Sequence, residues 1–405
     1  MWLFIHRPFE IWPVWGELRL ERVYMLVTLG YWLLAADKSW VRNRLSAAFG
    51  LLGMVLACSW LASPWRELGT KTIEDWLKVA IFYVLLLSTV RSEAELRRML
   101  WMYVGSVGLY MAHSLWEYGN GRHAWTMGTA RLLGIDITYG DPNTFAATIV
   151  YSLPLALTLW PKARAWWLRG LLASYGAMSV VAVLLTASRS GFVGLACLGA
   201  FLALRSERRL RWILLMALAA TALWRYLPED RQNRLLTLVD PSYGPASALE
   251  SAEGRAKGFR DGLRLWGEYK LLGVGPGAFG TATGTGFESH HLYGQVLGEL
   301  GTLGAVAFGS VLAAFLANAL DARRLCQQHG CQQSDFAVRV VGATSLTVGL
   351  MLLLGLAGHN LYRYTWLWCG AFQAIALSCL QQSAWQPAVE EDGSAQLDTP
   401  EVAHA

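Results

Sequence analysis

About eleven apolar runs most strongly constrain what this 405-residue chain can fold into. Many of them approach the roughly 20 residues that an α-helix needs to cross a bilayer. They fall near residues 21–36, 45–63, 75–90, 99–116, 143–160, 170–187, 191–204, 211–227, 291–320, 340–357 and 363–380. We therefore expect an all-α, polytopic membrane protein with about eleven transmembrane helices.

The composition supports a membrane protein and argues against a nucleic-acid partner. The chain is 54% hydrophobic and only 16% charged, and its 20 tryptophans and 15 tyrosines suit the aromatic belts at the two membrane interfaces. The net charge of +5 is modest, and in a membrane protein it reflects which loops stay in the cytoplasm. We expect membrane lipids around the chain and no nucleic acid.

Basic residues are concentrated in alternate connections between the apolar runs. They are Lys38, Arg42 and Arg44 in the first connection, Arg91, Arg97 and Arg98 in the third, Lys162, Arg164 and Arg169 in the fifth, Arg205, Arg208, Arg209 and Arg211 in the seventh, and Arg323, Arg324 and Arg339 in the ninth. By the positive-inside rule these connections face the cytoplasm, so the even-numbered ones face the opposite, outer side.

This topology divides the chain into five parts. Residues 1–20 either lie along the outer interface or are the end of a first helix that begins upstream, which would make twelve spans. Residues 21–227 hold transmembrane helices one to eight, and residues 228–290 form a large periplasmic loop with short helices. Residues 291–380 hold the last three spans. Residues 381–405 are acidic and contain no apolar run, so we expect a disordered cytoplasmic tail.

Arg189 is the first candidate for ligand binding, because it lies between two apolar runs at an outer turn. An arginine at the centre of a bilayer costs about 2.5–3.5 kcal/mol on insertion scales, and less near an interface. The alternative is an arginine that snorkels to the surface of a tight helical hairpin. The small neighbours Ser188, Ser190 and Gly191 would leave room for a phosphate group.

The periplasmic loop contributes further cations on a predicted helix over residues 254–266, where apolar residues recur at intervals of three and four. Arg255 at its start and Arg260 one turn later are candidates to bind phosphate, because a planar guanidinium matches phosphate oxygens bidentately. The alternative is a solvated amphipathic helix at the membrane surface. The following Gly273–Gly277 turn lacks the Lys-Ser/Thr pair of a nucleotide-binding phosphate loop, so we interpret it as a backbone turn.

His290 and His291 lie where the loop re-enters apolar sequence. Histidine titrates near neutral pH and can take a proton from a hydroxyl group as a general base. Either histidine could take this role, against the possibility that both are simply interfacial. Tyr293 and the intramembrane carboxylate Glu299 are expected to support the site.

No metal or cofactor is expected. The histidine pair lacks carboxylate companions at helical spacing, and the Cys326 to Cys331 segment lacks a second pair of ligands with the spacing of a zinc site.

Two segments resemble the O-antigen ligase and O-antigen polymerase superfamily. Residues 255–301 contain an arginine, a Gly-Val-Gly turn, a His-His-Leu-Tyr-Gly-Gln stretch and a Glu-Leu-Gly, where members usually show His-Asn-x-Tyr-Leu-Gln and Glu-x-Gly. Ser188–Gly191 is similar to the Ser-Arg-Gly turn of the family. The chain departs from the family at His291, where asparagine is usual, and at Gly294, which replaces leucine.

The resemblance implies an enzyme of polysaccharide biosynthesis at the cell envelope, as in lipopolysaccharide assembly. It implies metal-independent, inverting transfer of a glycan from undecaprenyl diphosphate to an acceptor hydroxyl on a lipid, protein or polysaccharide. By position, His290 matches the essential histidine of the family and is the expected base, with His291 as the alternative base. Arg189 and Arg255 match the arginines that hold the diphosphate. The implied place is the bacterial inner membrane, with the active site facing the periplasm.

Two alternatives to a ligase stay open. A polymerase of the same superfamily shares the site and differs in its acceptor. A transporter of lipid-linked glycans would instead show ionisable residues deep in several helices, together with internal repeats.

Overall fold

A computed structural model describes residues 1–385 apart from 35, 36, 127, 139, 238, 239, 241–245 and 330–334. Its helices are α1 (Trp2–Ile5), α2 (Pro8–Ile11), α3 (Pro13–Glu17), α4 (Leu20–Leu34), α5 (Arg44–Ala62), α6 (Arg66–Thr89), α7 (Glu93–Gly119), α8 (Pro142–Leu159), α9 (Trp166–Thr186), α10 (Arg189–Arg205), α11 (Arg209–Tyr226), α12 (Glu229–Leu236), α13 (Ala246–Glu268), α14 (Phe279–Thr283), α15 (Leu292–His329), α16 (Phe336–Leu354) and α17 (Tyr364–Trp385).

A helix covers most of each apolar run found in the sequence. Among the described residues, five helices are long and apolar enough to cross a membrane: α5, α8, α9, α15 and α16. The chain is therefore a multi-pass, almost entirely helical membrane protein, as predicted. The total of about eleven spans stays a prediction.

Two features differ from the sequence-based expectations. One is a short β-hairpin in an otherwise helical chain, and the other is a helix that extends into the predicted tail. A two-stranded antiparallel hairpin, β1 (His123–Thr126) and β2 (Thr129–Leu132), occupies the fourth connection, with Trp125 opposite Ala130. Helix α17 continues to Trp385, five residues into the segment expected to be a disordered tail, and residues 386–405 lie outside the described part.

The core lies where α15, α16 and α17 meet α5 and α8. Helix α15 packs against α5 and α17, and α16 packs against α8 and α17. Its largest fully buried side chains are aromatic and include Trp368, Tyr103 and Phe336. Helix α4, in contrast, buries no side chain and lies at the edge of the bundle.

The connections gather at two ends of the bundle. We call the site end the one that carries connections 63–65, 120–141, 187–188, 227–291 and 358–363. Hydrogen bonds join them: the Ser63 hydroxyl donates to the Val274 carbonyl at 2.5 Å, and the Arg131 guanidinium donates to the Thr186 carbonyl at 2.8 Å. The even-numbered connections thus lie together, as the charge pattern requires.

The odd-numbered connections lie together at the opposite end. The Arg91 guanidinium donates to the Asp37 carbonyl, and Lys162 lies 3.9 Å from Glu93. The N-terminal helices instead reach the site end, because the Glu10 carboxylate accepts hydrogen bonds from the backbone N–H groups of Ile137 and Thr138.

Helix α15 is broken at Gly301, whose φ of 64° and ψ of −156° are not helical. The segment after α13 fills this break. Val274 N–H donates to the Gly298 carbonyl at 2.9 Å, and Thr302 N–H donates to the Lys270 carbonyl at 2.8 Å. Backbone groups released by the break therefore find partners. The predicted backbone turn is the element that attaches the segment after α13 to α15.

Candidate functional site

Four glycines bring α13 against the first turns of α15. Gly258 and Gly262 are four residues apart on α13, and Gly294 and Gly298 are four apart on α15. A Cβ atom added to Gly262 would lie 2.3 Å from the Gly294 carbonyl oxygen, so only hydrogen fits there. The helices cross backbone to backbone, which places Arg255, one turn before Gly258, beside the residues that precede α15.

His291 is the N-cap of α15. Its Nδ1 accepts a hydrogen bond from the Gly294 N–H at 3.3 Å, and its ring packs against Phe259 at 4.9 Å between ring centroids. Because Nδ1 accepts, the neutral ring carries its proton on Nε2. Neither nitrogen then has a lone pair available for a substrate proton.

His290, by contrast, is exposed at the site end. The surrounding protein lowers the pKa of its imidazole below the usual 6.5, and the neighbouring His359 lowers it further. Asp141 and Glu288 act in the opposite direction, and Arg255 lowers the pKa again. The ring is therefore neutral at pH 7 and able to accept a proton.

Arg189 is the first residue of α10 and is only 8% exposed. Its guanidinium donates to the Thr237 hydroxyl at 3.1 Å. The turn before it ends α9 with Ala187 at a φ of 48°, which leaves the last carbonyls of α9 without helical partners.

Two further arginines bind these carbonyls. The Nε of Arg131, on β2, donates to the Thr186 carbonyl at 2.8 Å, and the Nε of Arg234, on α12, donates to the Ala187 carbonyl at 2.8 Å. These bonds attach the hairpin and α12 to the turn that precedes Arg189.

The four residues Arg131, Arg189, Arg234 and Arg255 form what we call the arginine cluster. Burial lowers the pKa of the Arg255 guanidinium, and the nearby positive charges of Arg189 and Arg234 lower it further. Burial, and to a lesser extent the positive charge of Arg234, lowers the pKa of the Arg131 guanidinium to about 10. Like charges held this close repel each other, so the cluster favours a bound anion.

Of the predicted site residues, the structure brings together His290, Arg255 and Arg189. His290 interacts electrostatically with Arg255, which in turn interacts with Arg189. Arg260 lies five residues after Arg255 on α13 and is exposed. This spacing places it about 140° around the helix axis from Arg255, so the two residues do not share a helix face.

Tyr293 and Glu299 make structural contacts beside the site. The Tyr293 hydroxyl donates to the Leu352 carbonyl at 3.2 Å. The fully buried Glu299 accepts a hydrogen bond from the Tyr362 hydroxyl at 2.5 Å. The first bond attaches α15 to the end of α16, and the second attaches it to the segment that joins α16 and α17.

Arg131, Arg234 and Asp141 were not identified as site residues from the sequence. Asp141 caps α8 by accepting from the N–H groups of Asn143 and Thr144, and it also lies near His290 and Arg131. One signal was available: both arginines lie on even-numbered connections, where the positive-inside rule disfavours basic residues without a function.

Within the described residues, no group of three or more His, Cys, Asp or Glu side chains is placed to hold a metal ion. Cys326 lies near the end of α15, and Cys331 lies outside the described part.

Part of the chain is similar to a known family. Residues 174–309 match the family model of the O-antigen ligases. No curated protein matches the chain. A solved chain from a structure described as "Structural coordination of polymerization and crosslinking by a peptidoglycan synthase complex" is 17% identical, with a TM-score of 0.44 over 87% of this chain and 99% of that chain. The family match contains Arg189, Arg255 and His290, and it supports the resemblance of residues 174–309 to the O-antigen ligase superfamily.

Proposed function

We propose that this membrane glycosyltransferase moves a glycan from undecaprenyl diphosphate to an acceptor hydroxyl, with inversion and without a metal ion. The observation that carries the proposal is the placement of a neutral, exposed His290 beside Arg255, which belongs to the arginine cluster. A base for the acceptor and a cationic site for the leaving group thus lie at the same end of the bundle.

In the proposed reaction, the acceptor oxygen forms a bond to the anomeric carbon while its proton passes to His290. The bond from that carbon to the diphosphate oxygen breaks on the opposite face, and undecaprenyl diphosphate leaves with the bonding electron pair. The arginine cluster offsets the negative charge that develops on this leaving group. Preorganised guanidinium groups in a site partly shielded from water are well suited to this task.

His291 is unsuited to the base role, because its Nδ1 already accepts from the Gly294 N–H. This contact also accounts for the departure from the family pattern at this position. Asparagine, the usual family residue there, is itself a strong N-cap. Histidine performs the same capping function in this chain.

A polymerase remains the second candidate, because it uses the same site with a lipid-linked growing chain as acceptor. A second arginine-rich outer loop would have favoured it, and the sequence shows none. In the structure, however, the hairpin contributes Arg131 to a cluster otherwise built from α10, α12 and α13. The acceptor, rather than the number of arginine-rich loops, therefore separates the two activities. We place the site end on the periplasmic face of the bacterial inner membrane.

The test is transfer by the purified chain in lipid nanodiscs, supplied with an undecaprenyl-diphosphate glycan and a lipid acceptor without nucleotide triphosphate. We expect donor consumption and a glycosylated acceptor. His290→Ala should lower the rate by about 100- to 10,000-fold, the usual contribution of a general base. His291→Asn keeps a capping side chain and is the matched control, with a rate close to that of the unmodified chain.

Three other outcomes of these measurements would change the assignment. Near-normal transfer by His290→Ala together with loss in His291→Asn would reassign the base. Extension of the lipid-linked glycan without use of the lipid acceptor would identify a polymerase. In sealed vesicles, movement of the donor across the bilayer without its consumption would identify a transporter and contradict the proposed reaction.

A further inference from the structure

A cavity of about 130 Å³ lies between the N-terminal segment, α4 and α6. Its wall on α4 includes Met25, and its wall on α6 includes Ile81 and Leu85. Helix α4 buries no side chain, so the cavity lies at the perimeter of the bundle and not in its core. We call this space the lateral cleft.

The lateral cleft is charged at one end and apolar at the other. Helix α6 begins at the site end, and the two helices end together at the opposite end, where the Trp32 indole of α4 donates to the Ser88 hydroxyl of α6 at 2.8 Å. Along both helices the charged lining residues, Glu21, Asp75 and Lys78, precede the apolar ones. The charged mouth of the cleft therefore faces the site end, and its apolar interior extends toward the middle of the bundle.

The position of the interior determines which kind of molecule can fill it. Helices α4 and α6 carry two of the predicted spans, residues 21–36 and 75–90, which places the interior at the depth of the hydrocarbon core. Water is absent there, and an unfilled space would leave the lining side chains without contacts. The volume is close to that of a cavity of about 150 Å³ that takes up benzene. It therefore accommodates a stretch of one hydrocarbon chain, while the rest of that chain lies in the bilayer.

The charges at the mouth select the headgroup. Two cations and two carboxylates line the described part of the cleft, Arg7 and Lys78 against Glu21 and Asp75. The cations are already paired, because Arg7 Nε lies 2.5 Å from the Glu10 carboxylate and Lys78 Nζ lies 3.4 Å from that of Asp75. An anionic headgroup would meet no excess of positive charge. A zwitterionic headgroup carries one group of each sign and leaves this balance unchanged.

We propose that the lateral cleft binds one acyl chain of a zwitterionic phospholipid from the leaflet at the site end, with the headgroup beside Lys78 and Asp75. The site is additional to the proposed transfer reaction, and no member of the arginine cluster lines it. The chain contacts Phe4, whose ring packs against that of Tyr364, the first residue of α17, at 5.6 Å between centroids. The bound lipid thus completes the packing between the N-terminal segment and the bundle.

The test is photolabelling of the full chain in nanodiscs that contain a small fraction of phosphatidylethanolamine with a diazirine on one acyl chain. Mass spectrometry then locates the labelled residues. Labelling at Met25 and Leu85 should be about fivefold higher than at Ile213, which is exposed on α11, and this ratio corresponds to a preference of about 1 kcal/mol.

A variant that fills the cleft has a matched control. Ile81→Trp places a large side chain in the interior and should reduce labelling at Met25 and Leu85 to the level of Ile213. Ile213→Trp makes the same change at an isoleucine of similar exposure, 41% against 37%, on a helix that does not line the cleft. It should leave the labelling of the cleft unchanged.

Competition in the unmodified chain identifies the lipid and does not depend on the folding of any variant. Unlabelled phosphatidylethanolamine should reduce labelling of the cleft more than equal amounts of phosphatidylglycerol or undecaprenyl phosphate. The inference is wrong if Met25 and Leu85 are labelled no more than Ile213, or if phosphatidylglycerol competes equally well. Stronger competition by undecaprenyl phosphate would also overturn it and assign the cleft to an isoprenoid chain. None of these measurements depends on glycosyl transfer, so the proposed function and this site can fail separately.

Discussion

Arginines at the two ends of the bundle differ in what surrounds them. At the site end, Arg131 and Arg189 are buried and donate to a backbone carbonyl and a threonine hydroxyl. At the opposite end, the arginines of the connection between α10 and α11 are exposed to solvent; they are Arg205, Arg208, Arg209 and Arg211. One of these, Arg205, lies over the Phe201 ring at 5.7 Å.

The difference separates two uses of positive charge in a membrane protein. An exposed arginine keeps its hydration and serves the positive-inside rule at little cost. A buried arginine among other arginines loses hydration and gains repulsion, so it destabilises the chain unless an anion binds. The numbers of acidic and basic residues between 228 and 289 nearly balance, so the net charge of this segment does not reveal the contrast. Burial and contacts between connections reveal it.

The largest expected effect tests whether the two ends differ in function. Arg255→Ala should lower kcat/KM for the lipid-linked donor by about 100- to 1,000-fold, the loss typical of removing one charge-stabilising group from an active site. Arg208→Ala, at the opposite end, is the matched control and should leave kcat/KM unchanged. Equal losses in the two variants would mean that general surface charge, and not a site, is responsible.

A second, smaller effect tests how Arg255 is held. Gly262→Ala places a methyl group against the Gly294 carbonyl and should destabilise the chain by about 1–3 kcal/mol, as overpacking does. Gly267→Ala makes the same change on the same helix where no atom lies within 4 Å.

Thermal unfolding and transfer rate of the two glycine variants should therefore diverge. Only Gly262→Ala should lower the melting temperature and the rate, since it moves α13 relative to α15. If the two variants behave alike, the crossing does not position Arg255.

The smallest expected effect separates charge from geometry. Arg189→Lys keeps the positive charge but loses the planar fork, so turnover should fall by about tenfold, the equivalent of one hydrogen bond to a charged group. Arg211→Lys at the exposed end should have no effect on turnover. Unchanged kinetics in Arg189→Lys would remove Arg189 from the diphosphate site.

The helices could be predicted from sequence because their apolar character is local. The candidates His290, Arg189 and Arg255 were also visible, since charged and titratable residues are conspicuous beside apolar runs. Arg131 and Arg234 were not identified, because their contacts with the carbonyls of Thr186 and Ala187 depend on tertiary structure.

The two adjacent histidines show the same limit on a smaller scale. Sequence alone assigned His290 as base with His291 as the alternative, but could not show that Gly294 N–H engages His291. Gly294 itself was a departure from the family pattern with no explanation. The close approach of α13 supplies one, because the Gly258 carbonyl oxygen would lie 2.7 Å from a Cβ at this position.

The glycine crossing between α13 and α15 also bears on engineering. No side chain lies between Gly262 and Gly294 that could be enlarged or trimmed to adjust the gap between guanidinium and imidazole. Variants that test the acceptor of the proposed reaction should therefore leave this contact and Arg131 intact and diversify β1, residues His123–Thr126. Libraries restricted to this strand would vary the surface of the site end while preserving the crossing that holds Arg255 beside the residues before α15.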